Sequence, residues 1–260
     1  MIKNLPQSLL LTGDSGVGLT TIGKYIAELC GVTPTIILPE KDEKIDIDKG
    51  IINIDIMRRL NDEMRTKTKS MHIIMIDYAE RMTHQAQNSF LKLLEEPNEN
   101  VHFILISNTT TKLLPTILSR VEKLVIKPIT KVQSEELLDG LNITEKTKRS
   151  QLLFIASGLP AELARLVGDD AYFTKRGATV RDARELLRGG TYQKLLIAHR
   201  YKDDRATSLV LLMDAANILK LSISDHPKID AIERLNSILE TYKSIEANGN
   251  IRICLARLVL

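Results

Sequence analysis

The stretch SLLLTGDSGVGLTT, residues Ser8–Thr21, joins a short apolar run, a glycine-rich turn and the start of a helical pattern. A strand that runs into such a turn and then into a helix is the context that a phosphate-binding P-loop requires. The glycines permit a tight turn in which backbone N–H groups converge on a phosphate, and the helix N-terminus adds partial positive charge. The candidate nucleotide-binding residues of this stretch are Gly13, Gly16, Gly18, Thr20 and Thr21.

One position departs from the P-loop pattern G-x-x-x-x-G-K-[ST], because Leu19 stands where the lysine is expected. That lysine supplies the positive charge that meets the β- and γ-phosphates, and a charge-assisted hydrogen bond contributes about 1.5–3 kcal/mol. Its loss is expected to weaken triphosphate binding by about one to two powers of ten. Two interpretations stay open: a weak nucleotide site, or a turn that keeps the P-loop shape and binds nothing.

The second nucleotide element is the apolar run HIIMI, His72–Ile76, which ends at Asp77. A carboxylate at the end of such a strand beside a P-loop normally holds Mg²⁺. The next residue is expected to be a glutamate that activates the attacking water, but here it is Tyr78. A phenol, with an ordinary pKa of about 10, is a poor base at neutral pH. Two independent parts of a hydrolytic site are therefore missing.

The rest of the first half alternates short apolar runs with helical patterns. Runs that are apolar on both faces and separated by helices predict a parallel sheet covered on both sides. The further predicted strands are Ile36–Leu38, Val101–Ile106 and Lys123–Ile126, and the predicted helices include Thr20–Cys30 and Thr83–Glu95. The segment 39–49 is predicted to be a charged loop. The strand signal stops after Pro128 and only helical patterns follow, so we expect three parts: residues 1–129, 130–174 and 175–260.

Composition excludes some classes of protein and leaves others open. Hydrophobic residues make up 43% of the 260 residues and charged residues 27%, which is ordinary for a globular protein. Aromatic residues are only 4%, which argues against surfaces built on aromatic platforms, and a net charge of +3 is too small to establish nucleic-acid binding. Cys30 and Cys254 lie in apolar stretches with no further ligand at zinc spacing. With no apolar run long enough for a signal peptide or a membrane span, the sequence predicts a cytoplasmic protein.

The segment IDYAERMTHQAQNSFLKLLEEPNENVHFILISN, Ile76–Asn108, closely resembles the AAA+ module of bacterial DNA polymerase III clamp-loader subunits. The likeness continues through TKLLPTILSRVEKLVIKPI, Thr111–Ile129, with Val121 in place of the family's cysteine. Ala183–Ile197 and Ser244–Leu260 resemble the collar of delta-prime-type subunits, which often carry a broken P-loop. Many relatives hold a four-cysteine zinc module before the Asp77 strand; Cys30–Ser70 contains one cysteine, so no zinc is expected.

The resemblance implies a fold: a five-stranded parallel sheet with helices on both faces, a helical lid at 130–174, and an all-helical collar at 175–260 that joins subunits. It also implies roles for particular residues. Asn108 would face the γ-phosphate, although a strand-end cap is the alternative. Arg120 would be an arginine finger aimed into the ATP site of a neighbour; pairing with Glu122 or capping a helix is the alternative. Ala161 or Glu162 stands where active relatives carry a phosphate-contacting arginine.

Three functions follow as hypotheses. The first is a delta-prime-like clamp-loader subunit that is catalytically silent, binds ATP weakly or not at all, and donates Arg120 in trans. Its expected partners are gamma/tau-type and delta-type subunits, with the sliding clamp and primed DNA at the level of the complex. The second is an ATPase subunit of the gamma/tau type, against which Leu19 and Tyr78 speak. The third is an AAA+-derived binding module outside replication.

Overall fold

A computed structural model of the chain describes residues 5–47, 49–64, 70–96, 100–225 and 229–258. These residues form two compact units. The first contains the residues up to Thr130 together with Gly158–Glu162, and the second contains Lys131–Ser157 and the residues from Leu163 onward. The first unit therefore ends one residue beyond the predicted end of the α/β domain.

A five-stranded sheet forms the centre of the first unit. Its strands, with those of a small hairpin, are β1 (Ser8–Gly13), β2 (Thr35–Ile37), β3 (Glu40–Lys41), β4 (Lys44–Ile45), β5 (His72–Ile76), β6 (Val101–Ser107) and β7 (Glu122–Ile126). The order across the sheet is β2-β5-β6-β1-β7, and every neighbouring pair is parallel. The predicted parallel sheet is confirmed, and its strand order places the carboxyl ends of β1, β5 and β6 side by side.

Helices cover both faces of this sheet, as predicted. They are α1 (Leu19–Leu29), α2 (Ile54–Met64), α3 (His84–Glu95) and the short α4 (Pro115–Leu118). Side-chain caps fix two of the starts. The Thr83 hydroxyl accepts a hydrogen bond from Ala86 N–H at the start of α3, and Asn53 Oδ1 accepts from Ile56 N–H at the start of α2. Such caps satisfy N–H groups that have no partner inside the helix.

Two apolar layers enclose the sheet, one on each face. Leu10 and Phe103 point into the layer that contains Phe90, whose ring meets the Phe103 ring edge-on at 5.1 Å between centroids. Leu11 and Ile104, their neighbours in sequence, point into the opposite layer beneath α1. Successive strand residues alternate between faces, so strands buried on both sides must be apolar throughout.

Two local features differ from the sequence prediction. The segment 39–49 contains the antiparallel pair β3–β4, whose turn residues Asp42 and Glu43 both have positive φ, 50° and 61°. Hairpin turns of this kind favour glycine or asparagine, so an Asp-Glu turn gives no hairpin signal in the sequence. In addition, β7 is an edge strand rather than a buried one, since Leu124 and Val125 are exposed.

The second unit is helical, and the prediction that no strand follows Pro128 agrees with it. Its helices are α5 (Lys131–Gly140), α6 (Lys146–Ala156), α7 (Pro160–Gly168, which starts in the first unit), α8 (Asp170–Arg188), α9 (Thr191–Tyr201), α10 (Arg205–Asp225), α11 (Ile229–Glu246) and α12 (Ile251–Arg257). The predicted lid–collar boundary at 174/175 falls inside α8. Residues of α8 belong to two apolar clusters: Val180 packs with α6 and α7, and Ala183 packs with the C-terminal helices.

Helix α10 is apolar and long enough to span a membrane by length and composition, and the described residues contain no other helix of this kind. In the structure it packs against α8 and α11, and Leu211, Leu212 and Ala215 are fully buried. Asp214 on α10 accepts two hydrogen bonds from the Arg176 guanidinium on α8, at 2.7 and 3.0 Å. Of the apolar stretch of α10, 39% is buried and the rest is not. The expectation from sequence that no segment is long and apolar enough for a membrane span therefore does not hold for α10.

Candidate nucleotide site

A cavity of about 220 Å³ lies at the carboxyl ends of β1, β5 and β6. This edge of a parallel sheet is where α/β proteins bind ligands. Five of the predicted residues line the cavity: Gly16, Gly18, Thr20, Asp77 and Asn108. The sequence analysis did not assign Ser15, Glu80, Ile106 and Ser107 to the site, although they line it too.

The P-loop has the backbone shape that its glycines predicted. Gly16 and Gly18 have φ values of 93° and 91°, a region that side chains other than glycine rarely adopt, and α1 begins directly after them. Gly13 has a different reason to be glycine, because a Cβ there would lie 2.4 Å from the Ile126 carbonyl oxygen on β7. Gly13 is not among the lining residues, and neither is Thr21, which is exposed on α1.

Leu19, at the lysine position, lies against the cavity and is almost fully buried. Its side chain belongs to the apolar layer under α1, together with Leu11, Ile73 and Ile106. The residue that would reach a phosphate in an ordinary P-loop is thus a packing residue of the core. The sequence predicts the missing charge; the packing of the side chain is visible only in the structure.

Asp77 is buried and bonded within the chain. Thr20 Oγ1 donates a hydrogen bond to Asp77 Oδ2 at 2.8 Å, and the Tyr78 N–H donates to Asp77 Oδ1 at 3.0 Å. Burial raises the pKa of the Asp77 carboxyl above its ordinary value, and the Glu80 carboxylate raises it further, against the opposite effect of these two hydrogen bonds. The threonine and the aspartate that would share a metal ion in an active P-loop site therefore bond to each other.

Tyr78 adopts a left-handed backbone conformation with φ 57° and ψ 45°. Bulky residues seldom adopt this conformation, and it is found where contacts with the surrounding residues hold the backbone in place. The Arg81 guanidinium carbon lies 5.6 Å from the centre of the Tyr78 ring, within cation–π distance. Tyr78 also lines the cavity, so a phenol occupies the place predicted for the catalytic glutamate.

Acidic side chains line the cavity. Glu80 joins Asp77 in its lining, and Glu80 Oε2 is buried without a hydrogen-bond partner among the described residues. None of the described lining residues is a lysine or an arginine. An anion placed here meets two carboxyl groups and no cationic side chain in the wall.

The start of α7 packs directly on the P-loop. The Ala161 N–H donates a hydrogen bond to the Gly16 carbonyl oxygen at 2.9 Å, and the Leu159 Cβ lies 3.4 Å from where a Cβ on Gly16 would stand. Ala161, one of the two candidates for the lost phosphate-contacting arginine, lines the cavity; Glu162 does not. The methyl group of Ala161 offers no charge to a ligand.

Asn108 directly follows β6 and is exposed on the cavity side. The preceding residue, Ser107, is buried and donates a hydrogen bond from its hydroxyl to the Thr109 carbonyl oxygen at 2.6 Å, which shapes the turn after the strand. Asn108 is therefore placed at the cavity by a fixed turn.

Arg120 lies just after α4, outside the cavity lining. Its guanidinium donates hydrogen bonds to Glu95 Oε1 at 2.9 Å and to the Thr116 carbonyl oxygen at 3.0 Å. It thus caps α4, as one alternative expected, but its acidic partner is Glu95 on α3 and not Glu122. The side chain is 38% exposed, so its outer face is accessible to another molecule.

Gln87, which the sequence analysis did not single out, positions the segment that leads to Arg120. Its buried side chain donates to the Met82 and Lys112 carbonyl oxygens at 3.2 and 3.0 Å and accepts from the Leu114 N–H at 2.8 Å. The only sequence signal for this role is a glutamine at a buried position of the α3 pattern, which requires polar partners.

A parallel sheet of this order, a P-loop before α1, an aspartate after β5 and a helix seated on the loop define an AAA+ domain. Sequence comparison gives the family: residues 2–130 match the family described as DNA polymerase III, delta subunit. The chain is 31% identical over 109 residues to DNA polymerase III subunit delta′ of Bacillus subtilis, which covers 42% of this chain and 32% of that one. The α/β part of the chain, residues 2–130, belongs to the AAA+ clamp-loader family.

Two further comparisons concern the sequence and the fold. The chain is 29% identical over 147 residues to replication factor C subunit 3 of Saccharomyces cerevisiae, covering 55% of this chain and 42% of the yeast protein. A DNA polymerase III gamma subunit-related protein from Thermotoga maritima has the same fold, with a TM-score of 0.53, 20% identity and coverage of 99% and 94%. The chain matches less than half the length of either sequence relative.

Proposed function

We propose that this chain is a delta-prime-like subunit of a DNA polymerase III clamp loader, catalytically silent itself, that lends Arg120 to the ATP site of a neighbouring subunit. The observation that carries the proposal is the packing of Leu19 into the core at the lysine position. Its partners would be gamma/tau-type and delta-type subunits in the cytoplasm. The sliding clamp and primed DNA would be engaged by the complex as a whole.

The lining of the P-loop cavity supports the proposal that this chain binds ATP weakly or not at all. ATP with Mg²⁺ needs a cation at the β- and γ-phosphates and a carboxylate free to hold the metal. Here the wall is acidic, and Asp77 is engaged by Thr20 and by the Tyr78 N–H. The volume of about 220 Å³ is also below the roughly 300–1,000 Å³ usual for small-molecule sites. No hydrolytic step is therefore assigned to this chain.

Arg120 has the properties that a finger in trans requires. An arginine stays protonated at working pH, and its planar fork of donors matches phosphate oxygens. The bonds to Glu95 and to the α4 carbonyl hold the guanidinium in one place. Its release from the exposed Glu95 pair would cost little, since such pairs contribute about 0–1 kcal/mol.

The first experiment measures ATP binding and steady-state phosphate release by the purified chain. We expect no saturable ATP binding at millimolar ATP and no turnover above background. Turnover of about 1 s⁻¹, within the range of ordinary enzymes, would instead support the gamma/tau-type alternative. The chain shares its fold with the gamma subunit-related protein.

The second experiment tests the finger in a reconstituted complex. Arg120→Ala should assemble normally and lower DNA- and clamp-stimulated ATP hydrolysis, and Arg120→Lys should restore it only in part because the fork is lost. Fingers in GTPases contribute roughly 10³–10⁵ in rate, but the complex loses less if only one of its sites uses Arg120. Arg58→Ala, which removes an exposed arginine paired with Asp55, is the matched control. Wild-type hydrolysis and clamp loading by Arg120→Ala would reject the trans role.

A further inference from the structure

A groove of about 540 Å³ runs between α6 and α8 in the helical unit. It is larger than the P-loop cavity, and its volume falls in the range typical of binding sites, roughly 300–1,000 Å³. Phe154 from α6 and Phe173 from α8 supply aromatic walls, and Arg181 and Arg184 line it as well. None of the described residues that line the groove is acidic.

Some arginines of this unit are held in ion pairs, and the two arginines of the groove are not. Arg176 is paired with Asp214 and Arg200 with Asp182, at 2.7 and 2.6 Å. Within the described part of the chain, the Arg181 and Arg184 guanidinium groups form no ion pair with a carboxylate. Arg184 instead lies over the Phe154 ring, 5.2 Å from its centre. The groove therefore presents two uncompensated positive charges beside an apolar surface.

Gly177 occupies the middle of α8 and lines the groove. A glycine inside a helix destabilises it relative to alanine, so its presence calls for a reason. Packing within the chain gives none, because a Cβ on Gly177 would meet only the Arg181 guanidinium, at an ordinary 3.8 Å. A glycine here leaves room for another molecule to approach the backbone of α8.

The length of the groove favours a peptide over a small metabolite. From Phe173 to Arg184 the lining residues follow α8 for eleven positions, or about 16 Å at 1.5 Å per residue. An extended chain covers that distance with about five residues, at 3.3 Å each.

We propose that this groove binds a short extended segment of a partner protein in which acidic side chains flank an apolar one. The carboxylates would pair with Arg181 and Arg184, whose forked donors match carboxylate geometry. The apolar side chain would pack between Phe154 and Phe173, and the peptide backbone would cross α8 at Gly177. This site and its partner class are independent of the P-loop cavity and of Arg120.

The experiment begins with a displayed library of random heptapeptides selected against the folded full chain. Enriched peptides are synthesised with a fluorescein label and titrated by fluorescence polarisation. We expect them to combine acidic residues with an aliphatic or aromatic residue and to bind more weakly as salt rises. Replacing the acidic residues of the peptides with serine should weaken binding about tenfold or more, because each carboxylate–arginine pair contributes a substantial part of the binding affinity.

Three variants locate the site on the protein. Arg181→Ser combined with Arg184→Ser should weaken binding about tenfold or more, and Gly177→Leu should block it while the thermal midpoint stays equal or rises. Arg188→Ser, which removes an exposed arginine of α8 outside the groove, should bind like the wild type.

Several results would overturn the proposal. These are a library that enriches no peptide, enriched peptides without acidic residues, or unchanged binding by the groove variants. Equal competition by single-stranded oligothymidylate would show a general anion site instead, and would reject the peptide assignment.

Discussion

Replacing Leu19 with lysine should restore one missing element of the P-loop at a measurable cost in stability. Leu19 is only 6% exposed and packs with Leu11 and Ile73. Lysine keeps an aliphatic stem, but its ammonium group must leave the core and extend into the cavity. There it would meet the carboxyl groups of Asp77 and Glu80, which partly offset the loss of packing.

The size of the effect follows from burial. Fully burying a leucine side chain contributes about 1.5–3 kcal/mol, and a long polar replacement keeps only part of that. We expect Leu19→Lys to lower the free energy of unfolding by about 1–3 kcal/mol without nucleotide. If the new charge adds about 1.5–3 kcal/mol to triphosphate binding, affinity for ATP should rise by about one to two powers of ten. Hydrolysis should remain absent, because Tyr78 still replaces the glutamate.

The assay is urea unfolding followed by circular dichroism, with and without millimolar ATP. Ligand binding stabilises by RT ln(1 + [L]/Kd), so ATP should stabilise Leu19→Lys more than the wild type, by up to about 1.4 kcal/mol for each tenfold decrease in Kd. Leu19→Met is the matched control, since this volume-conserving change should cost less than about 1.5 kcal/mol and give no response to ATP. Wild-type stability of Leu19→Lys without ATP would contradict the burial argument. An equal response to ATP by Leu19→Met would show that the missing charge is not the defect.

Further perturbations test other parts of the structure. The raised pKa of Asp77 means that the folded state binds more protons than the unfolded state, so stability falls as pH rises from the ordinary carboxyl pKa through the folded one. Asp77→Asn, which can still bond to Thr20, should therefore be more stable than the wild type at neutral pH, with the difference closing below about pH 3 in acid-unfolding curves. Gln87→Leu leaves three backbone groups without their side-chain partner and should cost about 1–3 kcal/mol in chemical denaturation, while the exposed Gln85→Leu should be nearly neutral. Leu196 is an exposed apolar residue of α9, within the segment expected to be the collar, so Leu196→Ser should change stability by less than about 0.5 kcal/mol yet weaken co-elution with clamp-loader subunits. Unchanged co-elution would show that Leu196 takes no part in assembly.

A truncation at Lys175 would be a poor test of the collar, for a reason that the structure supplies. The cut would fall inside α8 and remove Val180 from the cluster that it forms with α6 and α7. Four apolar residues of the C-terminal segment, Ile245, Ile251, Leu255 and Leu258, likewise pack within the helical core, so their apolar character is explained without a partner. Surface variants such as Leu196→Ser therefore test assembly more directly.

The strands could be predicted because their requirements are local. A strand buried on both faces must be apolar at its buried positions, and Ile73–Ile76 of β5 satisfy this with no information from elsewhere in the chain. The glycine pattern of the P-loop likewise follows from the backbone conformation that each residue must adopt, as the positive φ of Gly16 and Gly18 shows. The β3–β4 hairpin was missed because its turn residues, Asp42 and Glu43, do not signal their unusual conformation.

The sequence by itself determined the class of fold, the family and the loss of the lysine and the glutamate, because each depends on which residue stands at a position along the chain. Only the tertiary structure decided what replaced them. Leu19 packs in the core with Ile73 and Ile106, Thr20 bonds to Asp77, which lies 57 positions away, and Arg120 bonds to Glu95, which lies 25 positions away. Such contacts depend on how the strands are ordered in the sheet and how the helices pack on it, which no local pattern records.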